Sequence, residues 1–219
     1  MDILNNANIK GTIFDMDGVI LDSMSIWNDL GARYLISQDV TPEDGLREIL
    51  FSMSLEQGVT YMKKHYQLSK DEPDILQDIT NMIQDYYYYE VKAKDGALKL
   101  LDTLKQQGIR IVVATSSPRD HVEHALVRNN LLQYIEKIYT TTEVGKSKHS
   151  PDIFHLAADY MKLQPAEIMV FEDSLYAAKT AADAGFLTVG VYDADGESNQ
   201  AKLKSSVDWY VLSLLELTE

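Results

Sequence analysis

The sequence predicts an α/β fold: a Rossmann-like parallel sheet core with an inserted all-α segment. Three observations carry this prediction. Apolar, β-rich runs at Ile109–Ala114, Ile168–Phe171 and Leu187–Val191 alternate with helical stripes, the rhythm of a parallel sheet. Two apolar runs open directly into acids, Phe14 into Asp15-Met16-Asp17-Gly18 and Phe171 into Glu172-Asp173. Between residues 24 and 94 the rhythm stops, and helical patterns stand there without a strand.

The elements follow in order. Ile9, Ile13 and Phe14 lead into the first strand, and Gly18 ends the run. In the insertion, Thr41-Pro42 caps one helix, Ser54–Lys64 forms another with Leu55, Val59 and Met62 on one side, and Asp71–Tyr89 a long third. The run Tyr86-Tyr87-Tyr88-Tyr89 is read as split between a buried face and an interface. Leu98, Leu101 and Leu104 mark a helix closed by Gly108, glycine being the usual residue past a helix end. After the strand through Val113, Ser117-Pro118 reads as N-cap and first helical residue of a helix to Asn129. A short strand is expected at Tyr134–Tyr139 and a helix at Pro151–Met161. After the strand ending at Phe171, a helix runs from Leu175 to Ala184. Trp209–Val211 is a further candidate strand. Residues 1–23 and 95–219 are thus assigned to the core, and 24–94 to the helical insertion.

Composition narrows the function. The chain has 219 residues, 45% hydrophobic, enough to bury a core in one large or two small domains. A net charge of −14 argues against a nucleic-acid or anionic membrane surface as partner. There is no cysteine, hence no disulfide or thiol chemistry, which suits a cytoplasmic setting. The segment Met1–Asn6 lacks the basic and apolar regions of a signal peptide, and no stretch approaches a membrane span.

Asp15 and Asp17 are two residues apart at the end of a strand, the edge where open α/β sheets bind ligands. Like charges so close favour a bound cation, and oxygen ligands favour a hard one such as magnesium. The run ending in Thr115-Ser116-Ser117, the lysine Lys148 before Ser150-Pro151-Asp152, and Glu172-Asp173 all fall where a doubly wound sheet brings strand ends to one rim.

Four segments in this order, FDMDGVILDS, VVATSS, KHSPDIF and VFEDSLYAAKTAADAG, resemble the haloacid-dehalogenase superfamily, in the branch of small phosphatases and β-phosphoglucomutase-like proteins. In that family the helical insertion is a cap domain that closes over the acidic rim. The resemblance implies a magnesium-dependent phosphatase acting on a small-molecule phosphate ester, a sugar phosphate or related metabolite, as a monomer or weak dimer. Asp15 is then the nucleophile that forms an aspartyl-phosphate. Magnesium is held by Asp15, the Asp17 carbonyl and Asp173, with Glu172 touching the ion or orienting its waters. The Asp17 side chain is the general acid and base; dehalogenases lack an acid there. Thr115 and Ser116 bind the phosphoryl oxygens, and Lys148 neutralises Asp15 and the phosphoryl group. Lys148 is preferred to Lys146 because it lies four residues before the Asp of Pro-Asp-x-Phe.

Local readings compete at several of these positions. Glu172-Asp173 also fits helix capping, and Thr115-Ser116-Ser117 fits a plain strand-to-helix turn. Trp27 lines the substrate cleft or belongs to the core of the insertion. His121 and His124 are assigned to the surface rather than to a metal, and His149 to a solvated loop beside Lys148. The chain departs from the family at Asp95-Gly96, where Pro-Gly is usual, and at His149-Ser150. The mutase branch grips a second phosphate with an Arg and a Lys, but Leu55 and Asp78 stand near those positions, with Arg47, Lys63 and Lys64 the substitutes. That moves the assignment toward a phosphatase, with a sugar-phosphate mutase second and a non-catalytic phosphometabolite-binding protein third.

Overall fold

The computed structural model describes residues 8–51 and 53–218. The terminal segment read above for a signal peptide lies outside the described residues. The chain divides into two compact units, Met1–Ser23 with Val91–Glu219, and Met24–Glu90.

The first unit is built on six parallel strands: β1 (Gly11–Phe14), β2 (Arg110–Thr115), β3 (Lys137–Thr140), β4 (Ile168–Glu172), β5 (Leu187–Val191) and β6 (Trp209–Val211). Their order is β3-β2-β1-β4-β5-β6. β1 pairs with both β2 and β4, so that Phe14 stands opposite Val113 and Phe171. The chain moves outward in one direction from β1 to β3 and in the other from β4 to β6. The order therefore reverses between β1 and β4, and a crevice opens at their carboxyl ends. Asp15 follows β1 there, Thr115 ends β2 and Glu172 ends β4.

Both faces of the sheet are covered, which explains the unbroken apolar runs of its strands. Ile13, Val112, Ala114 and Val170 pack with Phe154 and Ala157 of one helix (Asp152–Met161) and Ala177 and Ala181 of another (Leu175–Asp183). Phe14 and Phe171 stack with ring centroids 4.3 Å apart. A helix at Ala97–Gln106, its Leu100, Leu101 and Leu104 buried, lies against β2.

The second unit is all-helical: α1 (Ser25–Ser37), α2 (Leu46–Phe51), α3 (Leu55–His65) and α4 (Glu72–Asp85), the last continuing into a π-helical turn at Tyr86–Glu90. Ser54 and Gln57 form a reciprocal capping box at the start of α3. Ile75, Ile79 and Ile83 form the buried stripe of α4. Tyr86 and Tyr87 are buried and Tyr89 is exposed.

Four sequence expectations change. Thr41-Pro42 caps no helix: α2 begins at Leu46, after Gly45 takes a left-handed φ of 83° that interrupts helical backbone. The strand expected at Tyr134–Tyr139 occupies Lys137–Thr140, with a 3₁₀ turn at Leu132–Tyr134. The helix Arg119–Arg128 starts one residue beyond Pro118, without a side-chain cap from Ser117. The return to the core comes at Val91 rather than Asp95. Long-range backbone pairing sets that boundary: Leu21 bridges Ala93, Asp22 N–H donates to the Lys92 carbonyl at 2.9 Å, and Lys94 N–H to that of Ile20 at 2.8 Å.

Candidate active site

Three carboxylates meet at the switch point. Asp15, Glu172 and Asp173, all buried, each offer an oxygen within 4.8 Å of the others. Strand register places them there: the Asp15 N–H donates to the Phe171 carbonyl at 3.0 Å, so the residue after β1 stands level with the end of β4.

One cation is built into this cluster. Lys148 Nζ donates to Asp15 Oδ1 at 2.5 Å and to Glu172 Oε1 at 2.7 Å, and its side chain is 3% exposed. Ser174 Oγ donates to the other Glu172 oxygen at 3.1 Å. Lys146 instead pairs with Asp152 at 2.6 Å on the surface. His149, beside Lys148, is exposed and stacks on Tyr176, centroids 4.3 Å apart.

The electrostatics follow from burial. Asp15 is pushed up to about 7, chiefly by burial and further by Glu172 and Asp17, against the pull of Lys148. Asp173 is pushed up to about 9, by burial first and then by Asp15 and Glu172. For Lys148 burial works against the charge, but Asp15 and Glu172 outweigh it and its pKa rises. Once ionised, the three buried carboxylates exceed the one ammonium in charge. An all-oxygen donor set with that excess fits a hard divalent cation such as magnesium.

A stability prediction follows. A carboxylate whose pKa is higher folded than unfolded supports the fold in acid, and that contribution is given up as pH rises from the unfolded value near 4 toward the folded one. In chelator, Asp173→Asn should therefore leave Tm unchanged near pH 4 and raise it at pH 8, by about 2–4 °C per kcal/mol for a chain of this size. Magnesium should reverse the order by stabilising the wild type alone. A Tm difference in chelator that stays flat from pH 4 to 8 would contradict the assignment of this repulsion.

Asp17 is half-buried and lies between two hydroxyls. Ser23 Oγ donates to its Oδ1 at 2.6 Å, and Ser117 Oγ to its Oδ2 at 2.5 Å. The sequence alone assigns neither serine a role toward Asp17. Ser117 has the form of a helix cap, but no side-chain cap forms at that helix, and its hydroxyl donates to the Asp17 carboxylate. Ser23 closes the first segment quoted above, and that position was its one signal. Thr115 is fully buried and its Oγ1 accepts the Ser117 N–H at 3.0 Å, whereas Ser116 is exposed.

The capping alternative for Glu172-Asp173 is not what forms. The cap position of the helix Leu175–Asp183 is Ser174, without a side-chain cap, and the Leu175 N–H donates to Glu197 at 3.1 Å. Trp27 lies in α1 and is 49% exposed, so it is not a core residue of the helical unit. It lines a cavity of about 310 Å³ within that unit, with Leu30, Leu50 and Met62. His121 is a correction: it is buried, and burial lowers its pKa, while His124 is exposed. Of the lysines offered as phosphate grips, Lys63 is committed to the Lys70 carbonyl at 2.6 Å and to Asp71 at 3.2 Å.

The model of the haloacid dehalogenase-like hydrolase family matches residues 12–191, so the chain belongs to that family. It is 27% identical over 194 residues to the validoxylamine A 7'-phosphate phosphatase of Streptomyces hygroscopicus subsp. limoneus, covering 83% of this chain and 85% of the relative. It is 27% identical over 190 residues to the β-phosphoglucomutase of Bacillus subtilis, covering 84% and 83%. A crystal structure of a β-phosphoglucomutase candidate from Thermotoga maritima shares the fold with a TM-score of 0.85 at 21% identity, over 96% of this chain and 97% of that one.

Proposed function

We propose that this protein is a magnesium-dependent phosphatase of small phosphorylated sugars or related metabolites, working through a phosphoryl group carried on Asp15. The enzyme class follows from the family and from relatives named as phosphatases: it is a phosphoric monoester hydrolase. The observation that carries the mechanism is the pairing of Lys148 with both Asp15 and Glu172, beside Asp173, at the sheet's switch point.

Asp15, the Asp17 carbonyl and Asp173 would hold the ion, which when bound supplies positive charge to the phosphoryl oxygens. Glu172 already accepts from Lys148 and Ser174, which suits orienting its neighbours better than direct ligation. Asp15 attacks phosphorus in line with the leaving oxygen. Lys148 lowers the repulsion between that carboxylate and a phosphate dianion. Thr115, with Ser116 beside it, receives the phosphoryl oxygens. Asp17 gives a proton to the departing alkoxide, then takes one from the water that hydrolyses the aspartyl-phosphate. Ser23 and Ser117 hold its carboxylate in place. The helical unit is assigned to substrate selection, with Trp27 as its candidate contact residue. Leu55 and Asp78, the latter paired with Lys70 at 2.6 Å, offer no grip for a second phosphate, which favours a phosphatase over a mutase.

A panel of phosphorylated metabolites scored for phosphate release tests this reading, with sugar bisphosphates added as mutase activators. Release from sugar monophosphates should require magnesium and vanish in chelator. Full activity in chelator would refute the metal dependence. Bisphosphate-dependent isomer exchange without net release would make the protein a mutase, and no turnover of any ester would leave it a binding protein.

A further inference from the structure

Lys94 lies outside the acidic cluster, on the segment that leads from Val91 back into the core. Its ammonium reaches three oxygens: the Gly18 carbonyl at 2.6 Å, the Tyr192 carbonyl at 2.8 Å and Asp193 Oδ2 at 2.7 Å. An ammonium has three protons, so these contacts use all of them. Gly18 follows Asp17 at the end of β1, whereas Tyr192 and Asp193 follow β5. The Lys94 and Asp193 side chains are only 15% and 4% exposed, so water competes little for the pair.

The two loops converge on one atom. Gly18 has a φ of 72°, and a Cβ there would lie 2.4 Å from Asp173 Oδ2. A Cβ on Gly196 would lie 2.8 Å from the same oxygen. Gly196 also abuts Asp193, whose Cβ would be 3.1 Å from that added atom. The Asp193 Oδ1 accepts the Asp195 N–H at 2.8 Å, which holds the loop closed around it. Asp173 Oδ2 thus stands between two backbone walls that leave no room for a side chain. Lys94 holds the first wall by its carbonyl and the second through Asp193.

We propose that Lys94 is a positioning residue for the cation site: by tying the Gly18 carbonyl to Asp193, it sets the two glycine walls that aim Asp173. This rests on the reading of Asp173 as a cation ligand. A ligand carboxylate works only within about 0.5 Å of its productive place. Gly18 and Gly196 touch that carboxylate directly, so a shift in either is passed on to it. Lysine suits the task because three protons diverge from one nitrogen toward three oxygens on two loops, whereas a guanidinium presents a planar fork.

The test is magnesium uptake, measured by calorimetry, alongside kcat and KM on an aryl phosphate. The proteins are wild type, Lys94→Arg, the double variant Lys94→Met with Asp193→Asn, and Asp173→Asn as the control that should lose uptake. The double variant removes both charges together, so neither is left buried alone. It should bind magnesium about 10–100-fold more weakly, with lower kcat and a KM near that of wild type. Lys94→Arg should fail to restore binding, since charge alone does not rebuild the tie. A double variant that takes up magnesium as the wild type does, whatever its Tm, would overturn the inference and leave Lys94 a purely structural residue. Restoration of wild-type uptake by Lys94→Arg would also overturn it. Wild-type protein that takes up no magnesium would overturn the reading of the acidic cluster and this inference with it.

Discussion

Asp15→Asn should abolish turnover, by roughly 10⁴-fold or more, as removal of a nucleophile does in enzymes that work through a covalent intermediate. The amide is close in size to the carboxylate but cannot form an acyl-phosphate. Burial and the neighbouring acids push Asp15 up to about 7, which would leave much of it protonated near neutral pH. Lys148, 2.5 Å away, already keeps it from standing higher, and a bound cation would lower it further. Wild-type enzyme quenched during turnover and treated with borohydride should carry homoserine in place of Asp15, seen by peptide mass spectrometry, because borohydride reduces an acyl-phosphate to the alcohol. Reduction at any other residue, or substantial turnover by Asp15→Asn, would exclude Asp15 as the nucleophile.

The acids were legible in the sequence because fold and chemistry coincide at them. Asp15 and Glu172 end apolar strands, and a parallel sheet with its switch point between those strands leaves few other places for a ligand. Lys148 was a different case. Nothing local separates it from Lys146, which lies two residues away in the same loop. Only the family pattern chose between them, and a tertiary fact distinguishes them: one lysine meets Asp15 and Glu172, the other Asp152. Ser117 shows how a local reading can mislead. A serine before Pro118 has the form of a helix cap, yet its hydroxyl turns to an aspartate 100 positions away. Burial of His121 and the return at Val91 were hidden for the same reason. Both depend on segments distant in sequence, and neither leaves a periodic mark.

The electrostatics of the site divide its labour. Lys148 serves Asp15 and Glu172, and Lys94 serves Asp193. Neither lysine pairs with Asp173, and that is the carboxylate with the higher of the two raised pKa values, about 9. Asp17 has two hydroxyl partners, Ser23 and Ser117. A hydroxyl can donate to a carboxylate or turn and accept from a protonated acid. Ser23 and Ser117 can therefore stay bonded to Asp17 through the acid and base steps proposed for it.

Asp17→Asn should separate the two steps of the reaction. Asparagine keeps the backbone carbonyl and nearly the same shape. Its amide nitrogen can donate to Ser23 or Ser117 once that hydroxyl turns, so fold and magnesium uptake should survive. What disappears is the proton donor and acceptor, each contributing ~10²–10⁴-fold. An alkyl sugar phosphate expels a poor leaving group, so its first step should fall by that factor. Nitrophenyl phosphate expels a good one and needs no proton, so its first step should be spared. Hydrolysis of the aspartyl-phosphate still lacks its base with either substrate. The phosphoenzyme should then accumulate, and nitrophenol should appear as a burst of about one equivalent per enzyme followed by slow turnover. Rapid-quench measurement with both esters reads the two steps apart. If both substrates slow equally and no burst appears, Asp17 only orients its neighbours, and another group must supply the proton for the leaving group.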